Sequence, residues 1–351
     1  MNQFARRALI ASAVFVAVVL LALALWKIKL LIALLFFGII IAAAMRPSVT
    51  ALDTRFHIPR ALGILLHYAG LVAILALLLY FVVPTAKDQI AAALPTSRSE
   101  LNQAAQHSRG IKHDILVGIQ KQLDKLPSAG SIASAAVNIG LRAFEIMIGI
   151  FFVFASAAYW IFERDRAERV VLSVLPRPRR KVVRDTWNLI DLKLGAFVRG
   201  QLLLVVFVAT VLSLAFWAIG LKFWLLVGIF AGIVELVPVV GPLAAGALAV
   251  GVGLTSSWQT ALAAGLVVLV VRLLEDYIVI PKVLGEAVGL TPLTVLFSVA
   301  AVTWLFGAFA VILAIPFVAV IATIVDVIVF DKDPASEEAP TVLFTAKEAE
   351  G

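Results

Sequence analysis

The 351-residue chain has no cysteine and only four histidines, His57, His67, His107 and His113. Disulfides, thiolate nucleophiles and cysteine-ligated metals are therefore excluded. Neither His-Glu-x-x-His nor Gly-x-Ser-x-Gly occurs, so a zinc protease or a serine hydrolase would lack its usual constellation. Enzymatic chemistry is not expected, and neither is a cofactor or a bound metal. Charge is scarce too: 15% of residues are charged and 62% are hydrophobic. The mean hydropathy is +1.06, whereas a soluble domain is roughly 45–50% apolar. The short alternating strands of a barrel are missing. What is present is a series of apolar runs close to the ~20 residues that a spanning helix needs. The expected fold class is all-α, a polytopic membrane protein with about eight apolar segments. Two of these are broken, re-entrant-like hairpins, and a small extracytoplasmic helical insertion is added to them.

The net charge of +7 falls mainly between the apolar runs, where it sets topology rather than binding nucleic acid. Residues 1–84 hold three spans, at 8–26, 30–45 and 61–83, with the second ended by Arg46-Pro47 and the third by Pro84. Arg6 and Arg7 precede the first run as in a signal peptide. A second apolar run follows at once, so the first reads as an uncleaved span. Residues 85–138 are polar, with Pro95, Gly110 and Pro127 as breakers and Ile111, Ile115, Ile119 and Leu123 at helical spacing. They read as amphipathic extracytoplasmic helices. A fourth span at 139–162 leads to a basic cytoplasmic loop at 163–199, and residues 200–330 form a core with two broken runs. Residues 331–351 form an acidic, disordered tail. With the basic loop inside, both termini are cytoplasmic. If both broken runs return to the side they came from, the two units form an inverted repeat.

The chain is organised around the stretch 232–242, Gly-Ile-Val-Glu-Leu-Val-Pro-Val-Val-Gly-Pro. Glu235 is the only ionisable residue between positions 223 and 254, and a charge at membrane depth costs about 2.5–3.5 kcal/mol. Pro238, Gly241 and Pro242 follow it and break the helix. Glu235 is either a proton or sodium carrier or a structural carboxylate capping backbone donors freed by Pro238. Arg272, Glu275 and Asp276 lie within one helical turn. The i,i+4 spacing of Arg272 and Asp276 predicts an ion pair, which leaves Glu275 as the freer ligand candidate.

Four motifs support a family resemblance. They are Phe197-Val198-Arg199-Gly200-Gln201 at the opening of a span, Glu235 through Pro238 to Gly241-Pro242, Pro281 through Gly285 to Gly289-Leu290-Thr291-Pro292, and Phe306-Gly307 to Pro316. Together they resemble the autoinducer-2 exporter family, also called PerM-type permeases, most densely from about 199 to 326. The resemblance implies a multi-pass permease of the bacterial cytoplasmic membrane. Family members are linked to autoinducer-2 export and, in other cases, to sodium/proton exchange. Ala308-Phe309-Ala310 stands where a second glycine is often found, and Glu235 stands where many relatives carry asparagine. That carboxylate favours a cation or proton role.

The candidate solute or ion ligands are thus Glu235, Pro238, Gly241, Pro242, Arg272, Glu275 and Asp276. Gly232, Gly285, Gly289, Pro292, Gly307 and Pro316 are candidate hinges or shape-makers, and Arg199, Gly200 and Gln201 form a candidate gate or interface. Arg199 alternatively snorkels to the inner surface. The expected function is export of a small polar solute such as autoinducer-2 by alternating access. The alternatives are a sodium (potassium)/proton antiporter built on Glu235 and a non-transporting membrane scaffold. The expected partners are the small solute or a monovalent cation and proton, the lipid bilayer and further copies of the chain.

Overall fold

The structure is a computed structural model that describes residues 3–93, 129–283 and 291–337. Most of the expected extracytoplasmic insertion lies outside the described residues, as do Gly285 and Gly289. The first helices are α1 (Gln3–Lys27), α2 (Lys29–Phe56), α3 (Arg60–Ala93), α4 (Ala129–Val174) and α5 (Arg177–Ala218). Two short helices follow, α6 (Trp224–Val234) and α7 (Val240–Leu254). α8 (Trp258–Leu274) runs through a π-helical turn, Glu275–Val279, into α9 (Ile280–Val283). α10 (Pro292–Phe306) is joined to α11 (Ala314–Val329) by a 3-10 segment, Ala308–Leu313. Among the described residues there is no strand. Within the described residues, α1 to α5 and the continuous stretch Ala308–Val329 give six helices long and apolar enough to cross a membrane. Helices rise about 1.5 Å per residue and hydrocarbon is ~30 Å thick. The 11 residues of α6 and the 15 of α7 therefore fall short of a crossing each.

Four expected boundaries move. Pro47 and Pro84 do not end their helices but lie inside α2 and α3. Proline is tolerated in a spanning helix where neighbouring groups satisfy the freed backbone. Near Pro47, Ser48 Oγ donates to the Met45 carbonyl at 2.8 Å and Arg199 donates to the Ala44 carbonyl at 3.2 Å. The basic segment 163–199 is not a loop. α4 continues to Val174 and α5 starts at Arg177, so only Leu175 and Pro176 separate them. Pro178 in the first turn of α5 needs no amide partner, and an i,i+4 pair, Arg164–Glu168 at 2.6 Å, supports the end of α4. Trp160 and Trp187 stack at 6.1 Å and hold the two charged extensions side by side. Finally, the last apolar run breaks as expected near Gly307, where the 3-10 segment starts, whereas Pro316, a second expected interruption, sits in the first turn of α11. Gly307 has φ 97° and ψ 170°, a region open in practice only to glycine.

Three apolar clusters hold the helices together. Val208, Leu212 and Phe216 of α5 pack with Val227 and Ala231 of α6, Ala245 and Ala249 of α7, and Ala264 and Val271 of α8. Leu194 of α5 joins Ala33 and Ile40 of α2, Val302 of α10 and Ala314 of α11. Ala42 and Val49 of α2 join Ile64 of α3 and Ala157 of α4. Large apolar side chains elsewhere on the helices are exposed, for example Leu79, Phe81, Phe151 and Leu269, as on a surface solvated by lipid.

The contact between α5 and α6 is close because two glycines face three small or backbone groups. A Cβ on Gly228 would fall 2.1 Å from Ser213 Oγ, and one on Gly232 would fall 2.6 Å from Ala209 Cβ and 2.7 Å from the Val205 carbonyl oxygen. This is the small-xxx-small packing by which membrane helices associate. Gly232 therefore sits inside α6 as a packing residue rather than at a bend. Gly228→Val should cost about 1–3 kcal/mol through overpacking. Gly251→Ala, where a Cβ meets nothing within 4 Å, should be neutral or stabilise by up to about 1 kcal/mol. Thermal unfolding of the purified protein in detergent checks both. Equal melting temperatures for the two variants would contradict the close α5–α6 packing.

Candidate functional site

The bend after α6 is built from strain and close approach. The Val240 amide donates to the Pro238 carbonyl at 2.7 Å, spanning two residues, and Val239 between them has φ 65° and ψ −51°. This is a γ-turn of the positive-φ kind, which is rare and strained, and here the central residue is β-branched. Gly241 permits it, because a Cβ there would lie 2.0 Å from the Val234 carbonyl oxygen. Pro242 falls in the first turn of α7, where its missing amide is harmless. Most backbone donors of the bend are satisfied locally. Leu236 N donates to the Ile233 carbonyl, Val237 N to the Val234 carbonyl and Gly241 N to the Val237 carbonyl. The Glu235 carboxylate is thus not consumed as a cap for them.

The Glu235 side chain turns instead to α8. Arg272 Nη1 lies 2.9 Å from Glu235 Oε1 and 3.2 Å from Glu275 Oε2, and Arg272 Nη2 lies 2.8 Å from Asp276 Oδ1. The expected i,i+4 pair of Arg272 and Asp276 forms. Glu275, expected on a different face, also meets the arginine, because i,i+3 places a side chain beside it as well. Glu275 is nonetheless distinctive. It is 2% exposed, and its Oε1 is buried with no hydrogen-bond partner. It also opens the π-helical turn, a feature that recurs where helices serve function. One guanidinium thus serves three carboxylates.

The Arg199-Gly200-Gln201 motif sits on α5, with Gln201 beside this cluster. Gln201 Nε2 donates to the backbone carbonyl of Glu235 at 3.2 Å, pinning the start of the bend. Gly200 is buried, and Arg199 reaches the Ala44 carbonyl of α2. The structure brings together Glu235, Arg272, Glu275, Asp276 and Gln201. It keeps Pro238, Gly241 and Pro242 as the backbone of the bend, and it leaves Gly307 and Pro316 at the other break, between α10 and α11. Pro292 opens α10. Sequence reading missed a second polar assembly around buried Arg164, between α2, α4 and α5. Its only advance signal was an arginine two positions past the end of an apolar run.

An all-α chain with spans, two broken apolar runs and a charge cluster against one of the breaks is a membrane permease in class. The chain belongs to the family described as AI-2E family transporter, which it matches over residues 14–330. Three relatives bear the name "Putative transport protein". YueF of Bacillus subtilis (strain 168) is 27% identical over 308 residues, 83% of each chain. YrrI of the same organism is 23% identical over 272 residues, 75% of this chain and 77% of its own. MT0215 of Mycobacterium tuberculosis is 25% identical over 323 residues, 87% of this chain and 85% of its own. The family is one of transporters, not of enzymes, as the missing catalytic constellations implied.

Removing one partner of a buried pair costs about 3–5 kcal/mol. The Arg272 side chain is 32% exposed, so Arg272→Gln should cost less, about 2–3 kcal/mol. Glu275→Gln added to it should restore part of the loss, because the buried charge left behind is removed. The two melting temperatures decide. No loss in the single variant would show that the cluster does not hold the bend to α8.

Proposed function

We propose that this chain is a secondary transporter of the bacterial cytoplasmic membrane, with both termini inside. It works by alternating access and takes up a proton or a monovalent cation at the cluster formed by Glu235, Arg272, Glu275 and Asp276. The observation that carries this reading is the buried, unpartnered Oε1 of Glu275 in a group where three carboxylates share one arginine. With every group ionised, the cluster carries two negative charges in excess, an arrangement that apolar surroundings disfavour. A proton or a monovalent cation relieves one of them. The two breaks supply short helix ends of the kind that transporters use. An inverted relation between the two broken runs and a homo-oligomeric assembly belong to the same proposal. Export of a small polar solute such as autoinducer-2 is the second reading, supported by the family and by a polar cavity on the far side of α5 that is large enough for a small molecule.

The test uses proteoliposomes with a pH dye inside and sodium or potassium pulsed outside. Wild-type protein should give a cation-dependent proton signal, and Glu235→Gln should reduce it at least about tenfold, as expected for loss of a group that carries the ion. No signal with either cation would remove the exchange reading. The assay would then turn to uptake of labelled furanone into inverted vesicles.

A further inference from the structure

The three carboxylates on Arg272 are not equivalent. The side chain of Asp276 is 42% exposed and that of Glu235 10%, whereas that of Glu275 is 2% exposed. Glu275 also has the longest contact with the arginine, 3.2 Å against 2.9 Å for Glu235 and 2.8 Å for Asp276. Its second oxygen, Oε1, is buried with no hydrogen-bond partner. An ionised carboxylate only accepts hydrogen bonds, so it is the form least suited to this place. The charged groups that face Glu275 are Glu235 from the bend after α6, and Arg272 and Asp276 from α8 and its π-helical turn. α5 brings the neutral Gln201 to the same bend. Glu235 and Glu275 both meet Nη1 of Arg272, and their carboxyl groups are within hydrogen-bond reach of each other. With both ionised, two acceptors of like charge face one another and no hydrogen bond joins them.

We propose, resting on the reading of this cluster as a site of ion uptake, that Glu275 is its proton-binding residue and holds the proton in a hydrogen bond to the Glu235 carboxylate. The proton comes from hydronium, which leaves as water, and the O–H bond of the Glu275 carboxyl is the only covalent bond formed. Glu275 thereby becomes a donor. Its O–H···O⁻ bond to Glu235 is roughly twice as strong as a bond between neutral groups. Burial penalises the neutral acid far less than the carboxylate. Arg272 is then left with two ionised partners, Glu235 and Asp276, and the excess of the cluster falls from two negative charges to one. Releasing the proton restores the repulsion between Glu235 and Glu275, which lies across the contact where the bend meets α8. Loading and unloading of Glu275 therefore act directly on the seat of the bend.

The experiment is infrared spectroscopy of the full chain in nanodiscs at neutral pH, in water and in deuterium oxide. The wild type should show the C=O band of a protonated carboxylic acid, displaced by deuteration. Glu275→Gln should lose this band. Glu235→Gln should displace or abolish it, because the acceptor and its charge are gone. Glu168→Gln, which removes a carboxylate held by Arg164 and Arg184 elsewhere in the fold, should leave it unchanged. Glu275→Gln should also melt no lower than the wild type, since its amide is neutral and donates to Glu235 as the acid does. A wild type without the band overturns the proposal, as does a band that survives in Glu275→Gln or is unchanged in Glu235→Gln. A melting temperature of Glu275→Gln well below that of the wild type overturns it too. None of these readouts needs transport. The expected bands without a cation-dependent proton signal in proteoliposomes would support the proton site and remove ion exchange, whereas exchange without the band would keep exchange and overturn the site.

Discussion

An ion in hydrocarbon must be answered by another ion, and in this chain one guanidinium answers three carboxylates. At about 2.5–3.5 kcal/mol for each charge at membrane depth, an unanswered group would not be tolerated cheaply. Arg272 therefore dictates where its neighbours go. The bend after α6 must lie against α8, because Glu235 has no other cation in hydrogen-bond reach among the described residues. Glu275 and Asp276 must both lie within one turn of the arginine. Even so, one oxygen of Glu275 is left without a partner, so the balance is incomplete.

α5 is the element through which this arrangement is tied to the rest of the fold. Its second half carries the apolar cluster with α6, α7 and α8, and its middle carries the one with α2, α10 and α11. Arg199 and Gln201 are two residues apart, about 200° around the helix and about 3 Å along it. Arg199 lines the arginine-rich cavity, and Gln201 holds the carbonyl of Glu235. The two polar assemblies thus lie at nearly one depth on opposite faces of one helix. The motif that reads as a single signature in sequence serves both. The beginning of the acidic tail is also fixed to α5. Lys193 bonds Thr323 and Glu337, so residues 331–337 are not the loose segment that their composition suggests.

Much of this was legible beforehand. Apolar length identified the spans, and Glu235 followed by Pro238, Gly241 and Pro242 located the first break. The i,i+4 spacing of Arg272 and Asp276 foretold their contact. The misreadings share a cause. Pro47, Pro84 and the basic segment were judged by rules of helices in water, where an unmet carbonyl and a run of like charge end a helix. Here Arg199 and Ser48 donate near Pro47, and stacked tryptophans and acidic partners support the basic extensions. Partners distant in sequence were not readable at all. Arg164 meets Asn188 and Asp191 across two helices, and no local pattern pairs them.

The two breaks differ in what maintains them. At Gly307 the unusual backbone belongs to a glycine, which adopts it without steric penalty. At Val239 a β-branched residue occupies the positive-φ turn, a conformation that stores on the order of 1–3 kcal/mol and persists only when its surroundings hold it. Those surroundings include the Gln201 bond to the Glu235 carbonyl and the ion pair of Glu235 with Arg272. The charge state of the cluster and the shape of the bend are therefore linked. Whatever neutralises Glu235 weakens one of the restraints on the strained turn. By the same linkage, it can bias the bend only by as much as its affinities for the strained and relaxed forms differ.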